Sequence, residues 1–437
     1  MDKKIKIKVV EKEEVIKTKI VDKEKNIEIT KNVKQEKEPN LVVSLLELAA
    51  IIIFVVVVIV FFPNTIVWNI VVLLLILTVL VAVHEFGHFI VAKLCGVHVY
   101  EYSIGMGPRL FYFKRKNDPT EYSVRLLPIG GYCKMAGEEG EDDSSLPKDK
   151  FMCNQSKIKR ILILVAGVTL NFVLAFVILF FISLICGSAE QNTYIGTVQQ
   201  DSPAQIAGIV PGDKIVSLNG YKVSNWDKLS IVTALKNDGV LHYTIQHKDG
   251  SKTTYDIVPA EYVAVGEDYV KVTKENTVEK IIKDNKLPKE TEPVKLVGIS
   301  SQGEIKHGFV NAIKYAFNKL VGIVDIMLLT VISLITGKLG LNSLSGPVGM
   351  YTIVGQAATY GLANIIYLAA YLSINLGVIN ILPFPAFDGG RVVFVIIEAI
   401  TRKKVNPNVE GAFHMIGFIL LMILMLFITF QDILRLF

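Results

Sequence analysis

His84-Glu85-Phe86-Gly87-His88 closes an apolar run from Ile66 to Val83, and no other stretch restricts the fold and chemistry of this chain so tightly. An uncharged run of that length reads as a membrane-spanning helix. On a helix the two His stand at i and i+4, one turn apart on the same face. That spacing can chelate one zinc ion (Zn2+), with Glu85 placed between them to take a proton from an attacking water. Ionisable residues at the end of an apolar helix are costly, so they are expected to face a polar interior and act there. Zinc hydrolysis at bilayer depth implies the cutting of a peptide bond within the membrane.

The chain has 437 residues, 51% of them hydrophobic, gathered in several long apolar runs. This is the signature of a polytopic membrane protein with at least one domain outside the bilayer. The formal net charge of +5 is modest, and Lys and Arg gather near helix ends, where topology explains them. No nucleic-acid partner is expected. Cys95, Cys133, Cys153 and Cys186 form no CxxC pair, so neither a disulfide framework nor a Cys-type zinc site is indicated. The N-terminus lacks the apolar core of a signal peptide.

Composition divides the chain further. Residues 1–39 read as a charged cytoplasmic arm, flexible and solvated. The alternation Lys4-Ile5-Lys6-Ile7-Lys8-Val9 could form a strand but has no evident partner. Residues 40–62 form an extra N-terminal transmembrane helix, and 63–95 the helix with HExxH. Residues 96–135 read as three short strands parted by Gly105-Met106-Gly107-Pro108, Asn117-Asp118-Pro119 and Pro128-Ile129-Gly130-Gly131, a small membrane-associated antiparallel sheet. An acidic loop follows (136–160), then a transmembrane helix (161–187). Residues 193–262 form an α/β domain and 263–307 a polar linker. Residues 308–337, with Lys314, Lys319 and Asp325, read as an interfacial amphipathic helix. Transmembrane helices at 364–390 and 411–430 complete about five spans. The Lys-rich arm and Arg402-Lys403-Lys404 are expected in the cytoplasm. His84 and His88 then lie at the cytoplasmic end of their helix, and 193–307 lie outside a multi-pass plasma-membrane protein.

A catalytic zinc wants three protein ligands and an open position. Asp388, in Asn380-Ile381-Leu382-Pro383-Phe384-Pro385-Ala386-Phe387-Asp388-Gly389-Gly390, emerges at the depth of His84 and His88. Its prolines and glycines imply irregular backbone, tolerated at that depth only where it lines a cavity.

HEFGH in a membrane helix followed by NxxPxPxxDGG in a late span resembles the site-2 protease family of intramembrane zinc metalloproteases. Ser202-Pro203-Ala204, Ala207-Gly208, Pro211-Gly212-Asp213-Lys214-Ile215 and Asn219-Gly220 resemble the PDZ domain of its bacterial branch, and a single such domain resembles the Gram-positive subgroup. Ser345-Gly346-Pro347-Val348-Gly349 and Ser373-Ile374-Asn375-Leu376-Gly377 match that branch too. The resemblance runs from about Ile66 to Phe437. It implies zinc ligands at His84, His88 and Asp388, a catalytic glutamate at Glu85, and Asn380 holding the substrate backbone or oxyanion. It further implies substrate contacts at Gly346, Pro347, Pro383 and Pro385. The substrates it implies are single-pass membrane proteins, pre-trimmed by another protease, such as anti-sigma factors or signal-peptide remnants. Membrane lipid is the remaining partner. Residues 1–62 precede the resemblance, and Phe387 stands where the family usually has Leu.

Two other classes compete with this reading. A membrane-bound PDZ adaptor whose zinc site is vestigial or structural would have no need of Glu85 as a base. A zinc transporter would stage ligands across the bilayer, whereas here they gather at one depth. His98, His242 and His247 read as ordinary sheet or turn residues, and His414 and Glu398 as polar groups that pack helices.

Overall fold

The computed structural model describes residues 16–22, 27–33, 41–63, 65–138, 145–189, 192–235, 239–265, 268–285, 293–303 and 305–435. The arm expected to be flexible contains a hairpin: β1 (Ile16–Asp22) and β2 (Ile27–Val33) pair antiparallel, Ile16 opposite Val33. Ile, Val and Thr alternating with charged residues suit a pleated pair, and each strand supplies the partner the other needs. The alternation at residues 4–9 lies outside the described residues.

Helix α1 (Leu41–Phe61) turns into α2 (Ile66–Leu94). Thr65 caps α2, its hydroxyl accepting from Trp68 N at 3.2 Å, and Trp68 Nε1 donates to Ile59 O at 3.3 Å. Capping and cross-bond together fix the angle between the two helices.

Two long strands, β3 (Val99–Lys114) and β4 (Glu121–Met135), replace the three short ones expected. The glycine and proline positions at 105–108 and 128–131 bend strands and do not end them. At Gly105, φ is +84° and a Cβ would come 2.7 Å from Leu127 O, so only glycine fits the bend. Glu101–Ile104 pairs with Glu121–Val124 on one side and with Gly131–Lys134 on the other. The last stretch, Gly131–Met135, therefore keeps one side free among the described pairings.

The sheet runs alongside α2. Thr78 Oγ1 donates to Pro128 O at 2.5 Å, Tyr102 Oη donates to Ala82 O at 2.8 Å, and Lys93 pairs with Asp118. Phe89 packs on Tyr102 and Tyr122, with ring centroids 5.4 and 5.7 Å apart. From Thr78 to Lys93 is about 22 Å of helix, so the sheet passes the whole HExxH turn.

Helix α3 (Lys157–Cys186) returns antiparallel to α2, and β5 (Ser188–Ala189) leads into the α/β domain. The domain comprises β6 (Ile195–Val198), α4 (Pro203–Ile206), β7 (Lys214–Leu218), β8 (Tyr221–Lys222), α5 (Trp226–Leu235), β9 (Leu241–Gln246) and β10 (Lys252–Ile257). The stretch expected to be a linker is instead structured: β11 (Ala260–Val265), β12 (Asp268–Lys271), α6 (Val278–Asp284), β13 (Val294–Leu296), β14 (Ile299–Ser301) and β15 (Ile305–Lys306). Strand β14 pairs with β6, and Val297 is buried in the same core as Ile195, Ile215 and Tyr243. The domain thus extends to Ser301. Lys/Glu-rich flanks conceal this short strand, and Val297 just before it and Ile299 at its start pack on the core. Strands β5 and β15 pair, Ser188 opposite Lys306, so the domain's entry and exit adjoin.

Helix α7 (Phe309–Ile335) covers the stretch expected to be an amphipathic helix. Its charges suggested a helix lying at a lipid interface. In the structure buried Lys319 pairs with Asp227 of α5, and Asp325 accepts from Lys228 Nζ at 2.5 Å. Its apolar face packs on α3, and Leu329 reaches the domain core. The amphipathic pattern thus has protein partners on both its charged and its apolar sides. Among the described residues, five helices are long and apolar enough to cross a membrane: Ile66–Leu94, Lys157–Cys186, Phe309–Ile335, Leu362–Ile381 and Asn408–Leu434.

Helices α8 (Pro347–Thr359), α9 (Leu362–Ile381), α10 (Asp388–Thr401) and α11 (Pro407–Leu434) complete the fold. The span expected over 364–390 is two helices broken at residues 382–387, where Pro383 and Pro385 cannot continue α9.

Candidate metal centre

Two helices bring the candidate ligands together. His84 and His88 project from α2, and Asp388 is the first residue of α10. His84 Nε2 lies 3.0 Å from Asp388 Oδ2 and 3.2 Å from His88 Nε2, and His88 Nε2 lies 3.3 Å from Asp388 Oδ2. Both His are buried and all ligand atoms lie within 4.8 Å of one another. Nitrogen and oxygen donors bound at about 2.0–2.1 Å around a tetrahedral ion stand roughly 3.3 Å apart, so these spacings are those zinc would impose.

The outer partners fix the protonation that a metal needs. His88 Nδ1 lies 2.8 Å from Ile163 O in α3. A carbonyl only accepts, so Nδ1 carries the proton and Nε2 turns a lone pair inward. His84 Nδ1 faces the Asn171 side-chain amide at 3.2 Å, and Asn171 Oδ1 is otherwise buried without a partner. With the amide turned so that Oδ1 accepts from Nδ1–H, both groups are satisfied and His84 Nε2 is also free. Two imidazole lone pairs and a carboxylate oxygen then meet at one point, an arrangement that calls for a cation. The residues fit zinc.

Small residues permit this closeness. A Cβ on Gly167 of α3 would overlap His88 Nε2 and stand 2.7 Å from His84 Cε1. A Cβ on Gly87 would meet the Ala166 carbonyl, one on Gly389 the carbonyls of Ile381 and Leu382, and one on Gly390 that of Phe384. Gly389-Gly390 thereby lets α10 begin directly on the end of α9. Ala386 takes a left-handed φ of 75°, and its N–H donates to His414 Nδ1 at 3.0 Å. His414, read from sequence as a packing group, holds the loop two residues before Asp388.

A cavity of about 460 Å³ opens beside the ligands, lined by Glu85, His88, Tyr132, Cys133, Lys134, Met135, Glu138, Leu164, Ala386, Phe387, Asp388 and Arg391. Four residues of the stretch that keeps one side free, Tyr132–Met135, thus line the cavity. Arg391 pairs with Glu138 at the same wall. Glu101 anchors the sheet behind it. Burial alone would raise its carboxyl, but hydrogen bonds from Ser123, Tyr132 and Arg125 and the charge of Arg109 outweigh burial and hold it below the usual range.

Asn380 joins the ligands, its Nδ2 3.5 Å from His84 Nε2. Pro383 and Pro385 shape the loop before Asp388, and Pro385 packs where Gly417 of α11 leaves room. Gly346 and Pro347 are not brought to the cavity. They open α8, where Gly346 and Gly349 donate their N–H groups to Asp432 Oδ2 at 2.7 and 2.8 Å. Glu398 lies at the far end of α10, paired with Arg160. Asn171 was missed in the sequence. Its only signal was an amide in the apolar run of α3.

A family profile described as Peptidase family M50 matches residues 72–424. The chain belongs to this family. A Clostridium acetobutylicum protein is 35% identical, covering 84% of this chain and 97% of its own length. The "Zinc metalloprotease RasP" of Shouchella clausii is 33% identical over 83% of this chain and 98% of its own. The "Regulator of sigma-W protease RasP" of Bacillus subtilis is 30% identical over 84% and 99%. The M50 peptidase described here is accordingly a zinc metalloprotease, and its apolar helices make it a multi-pass membrane protein.

Proposed function

We propose that this M50 peptidase hydrolyses peptide bonds within or near the transmembrane segments of single-pass membrane proteins, in regulated intramembrane proteolysis. The observation that carries the reading is the convergence of His84, His88 and Asp388 beside Glu85, in a cavity bordered by an unpaired strand edge. Zinc, when bound, acidifies water and polarises a carbonyl. His84, His88 and Asp388 hold it. Glu85 accepts the proton of the attacking water and passes it to the leaving nitrogen. Asn380 steadies the substrate carbonyl as charge builds on its oxygen. A substrate helix hides its peptide bonds and must unwind. Its extended segment adds as a strand to Gly131–Met135, which directs the scissile bond toward Glu85. The Clostridium, Shouchella and Bacillus relatives fit this assignment, and the name of the last suggests a regulator of a sigma factor as one substrate class. Comparing the membrane proteome of wild type with Glu85→Gln tests it. Trimmed membrane stubs should accumulate only in the variant. An unchanged stub population rules the reading out.

Gly167→Ala is expected to lower zinc occupancy without touching a ligand, because the added methyl overlaps His88 and crowds His84. Overpacking of a tight site costs on the order of 1–3 kcal/mol, enough for about a tenfold or larger loss of affinity. Full zinc in the purified variant would show that α2 and α3 can part to admit the methyl.

The α/β domain resembles a PDZ domain and, by the topology argued from charge, lies outside the cell. It acts as a gate, holding tall ectodomains off and admitting short stubs left by an earlier cut. Its attachment to α7 through Asp227–Lys319 and Lys228–Asp325 fixes it to the helices that pack on the metal site. Because β5 and β15 pair, residues 190–304 can be replaced by a short linker, with Lys319→Met and Asp325→Asn to avoid stranded charges. Excision should allow cleavage of untrimmed substrate. Loss of cleavage for trimmed and untrimmed substrate alike would mark a recruitment module instead.

A further inference from the structure

At the end of α10 remote from Asp388, the chain forms a second, smaller cavity of about 160 Å³ between two segments, residues 153–160 and 398–404. Five cations line it, Lys157, Arg160, Arg402, Lys403 and Lys404, against the single carboxylate of Glu398. That carboxylate is already engaged: Arg160 Nη1 donates to Oε2 at 2.5 Å and Val405 N to Oε1 at 3.0 Å. Lys157 Nζ reaches only the Glu398 carbonyl, at 2.7 Å, and Lys404 Nζ only Asn154 Oδ1 and the Cys153 carbonyl, at 3.1 and 3.5 Å. The side chains of Arg402 and Lys403 have no partner among the described residues. The pocket therefore holds positive charge that the described residues do not neutralise, and its volume admits a phosphate with a few waters at roughly 30 Å³ each.

Its position narrows the ligand. Lys157 is the first residue of α3, one of the helices long enough to cross a membrane. Ile158 is 73% exposed and Ile400 76% exposed, next to these cations. A soluble phosphate accounts for the charges but not for the two bare isoleucines. An anionic lipid accounts for both, with its phosphodiester among the cations and its acyl chains along the isoleucines. We propose that this pocket binds the phosphodiester headgroup of an anionic phospholipid. The bound headgroup ties the end of α10, which begins at Asp388, to the start of α3, which carries Ile163 and Asn171 beside the His ligands. Lipid occupancy thereby braces the metal site from about 20 Å away, the length of α10.

The alternative is a general excess of cytoplasmic Lys and Arg, which orients helices without binding anything. A charge-matched comparison separates the two. The full chain is reconstituted in nanodiscs of phosphatidylcholine with and without phosphatidylglycerol, then released, and its retained lipid is counted by native mass spectrometry. Wild type should retain phosphatidylglycerol in preference to phosphatidylcholine. Arg402→Ala/Lys403→Ala should weaken that retention by about tenfold or more. Lys114→Ala/Lys116→Ala, which removes the same charge from the exposed far end of β3, should leave it unchanged, and Arg402→Lys/Lys403→Arg should keep it. Equal loss in both alanine pairs, or no preference in wild type, overturns the proposal. A parallel arm adds inorganic phosphate to the detergent-solubilised protein. Thermal protection by phosphate, in a protein that retains no phosphatidylglycerol, would overturn the lipid as the source and leave a soluble phosphate in its place.

Discussion

Glu85→Gln is expected to abolish proteolysis while zinc stays bound at the wild-type level. Glu85 lines the cavity with His88 and Asp388 but is not one of the three converging ligands. Gln has nearly the same size and leaves the ligand set alone, yet its amide cannot take the proton of the attacking water. Loss of a positioned general base costs about 10²-fold or more. The check has two halves on one preparation: metal analysis, and cleavage of a reconstituted single-pass substrate. Zinc retained with activity lost assigns the base to Glu85. Activity within tenfold of wild type would place the base elsewhere in the cavity, and Glu138 and Asp388 are the other carboxylates that line it among the described residues. Joint loss of zinc and activity would mean that Glu85 supports the metal site and would remove the mechanism proposed above.

What was legible in the sequence follows from how far each interaction reaches along the chain. The helical spacing of His84 and His88 is a local rule, so their shared face could be read directly. Asp388 lies 304 positions from His84, but it announced itself through the prolines and glycines that break a membrane helix. Asn171 made no such announcement. One amide in an apolar helix resembles any packing group until the ring nitrogen it faces is known. The same limit hid the role of α7. Lys319 and Asp227 are 92 positions apart, and neither flanking sequence shows that the other charge waits for it. Read alone, such charges suggest water or headgroups. The β14 strand was lost for a related reason: three residues near Lys and Glu carry too little pattern, although pairing with β6 sets Ile299 against the core. Gly105 and Pro128 pointed correctly to changes of direction. Whether a strand stops or bends at such a residue depends on its cross-strand neighbour, which the local sequence does not contain.

Asp388→Ala is expected to cost the protein its zinc, and Asn171→Ala is expected to weaken binding without abolishing it. Asp388 supplies the only anionic donor among the three ligands, and its Oδ2 closes the triangle with the two Nε2 atoms at 3.0 and 3.3 Å. Without it two neutral imidazoles remain, one turn apart, and a two-donor site does not retain a structured zinc. Asn171 touches no metal position. It acts through His84, accepting the Nδ1 proton so that Nε2 points a lone pair inward, and removal of such an outer partner usually costs about 10–100-fold in affinity. The two effects should therefore be ordered, with Asp388→Ala the larger. Asn171→Asp, which keeps an acceptor oxygen against Nδ1, should restore most of the affinity that Asn171→Ala loses. Zinc titration of the apo-protein with a competing chelator measures all three variants. Thermal unfolding with and without zinc supplies a second readout, because ligand binding adds stability in proportion to its affinity. If Asn171→Asp is as weak as Asn171→Ala, the amide packs the helices and does not set the tautomer. If Asp388→Ala keeps full zinc, a third ligand other than Asp388 completes the site, and the convergence of α2 and α10 serves some other end.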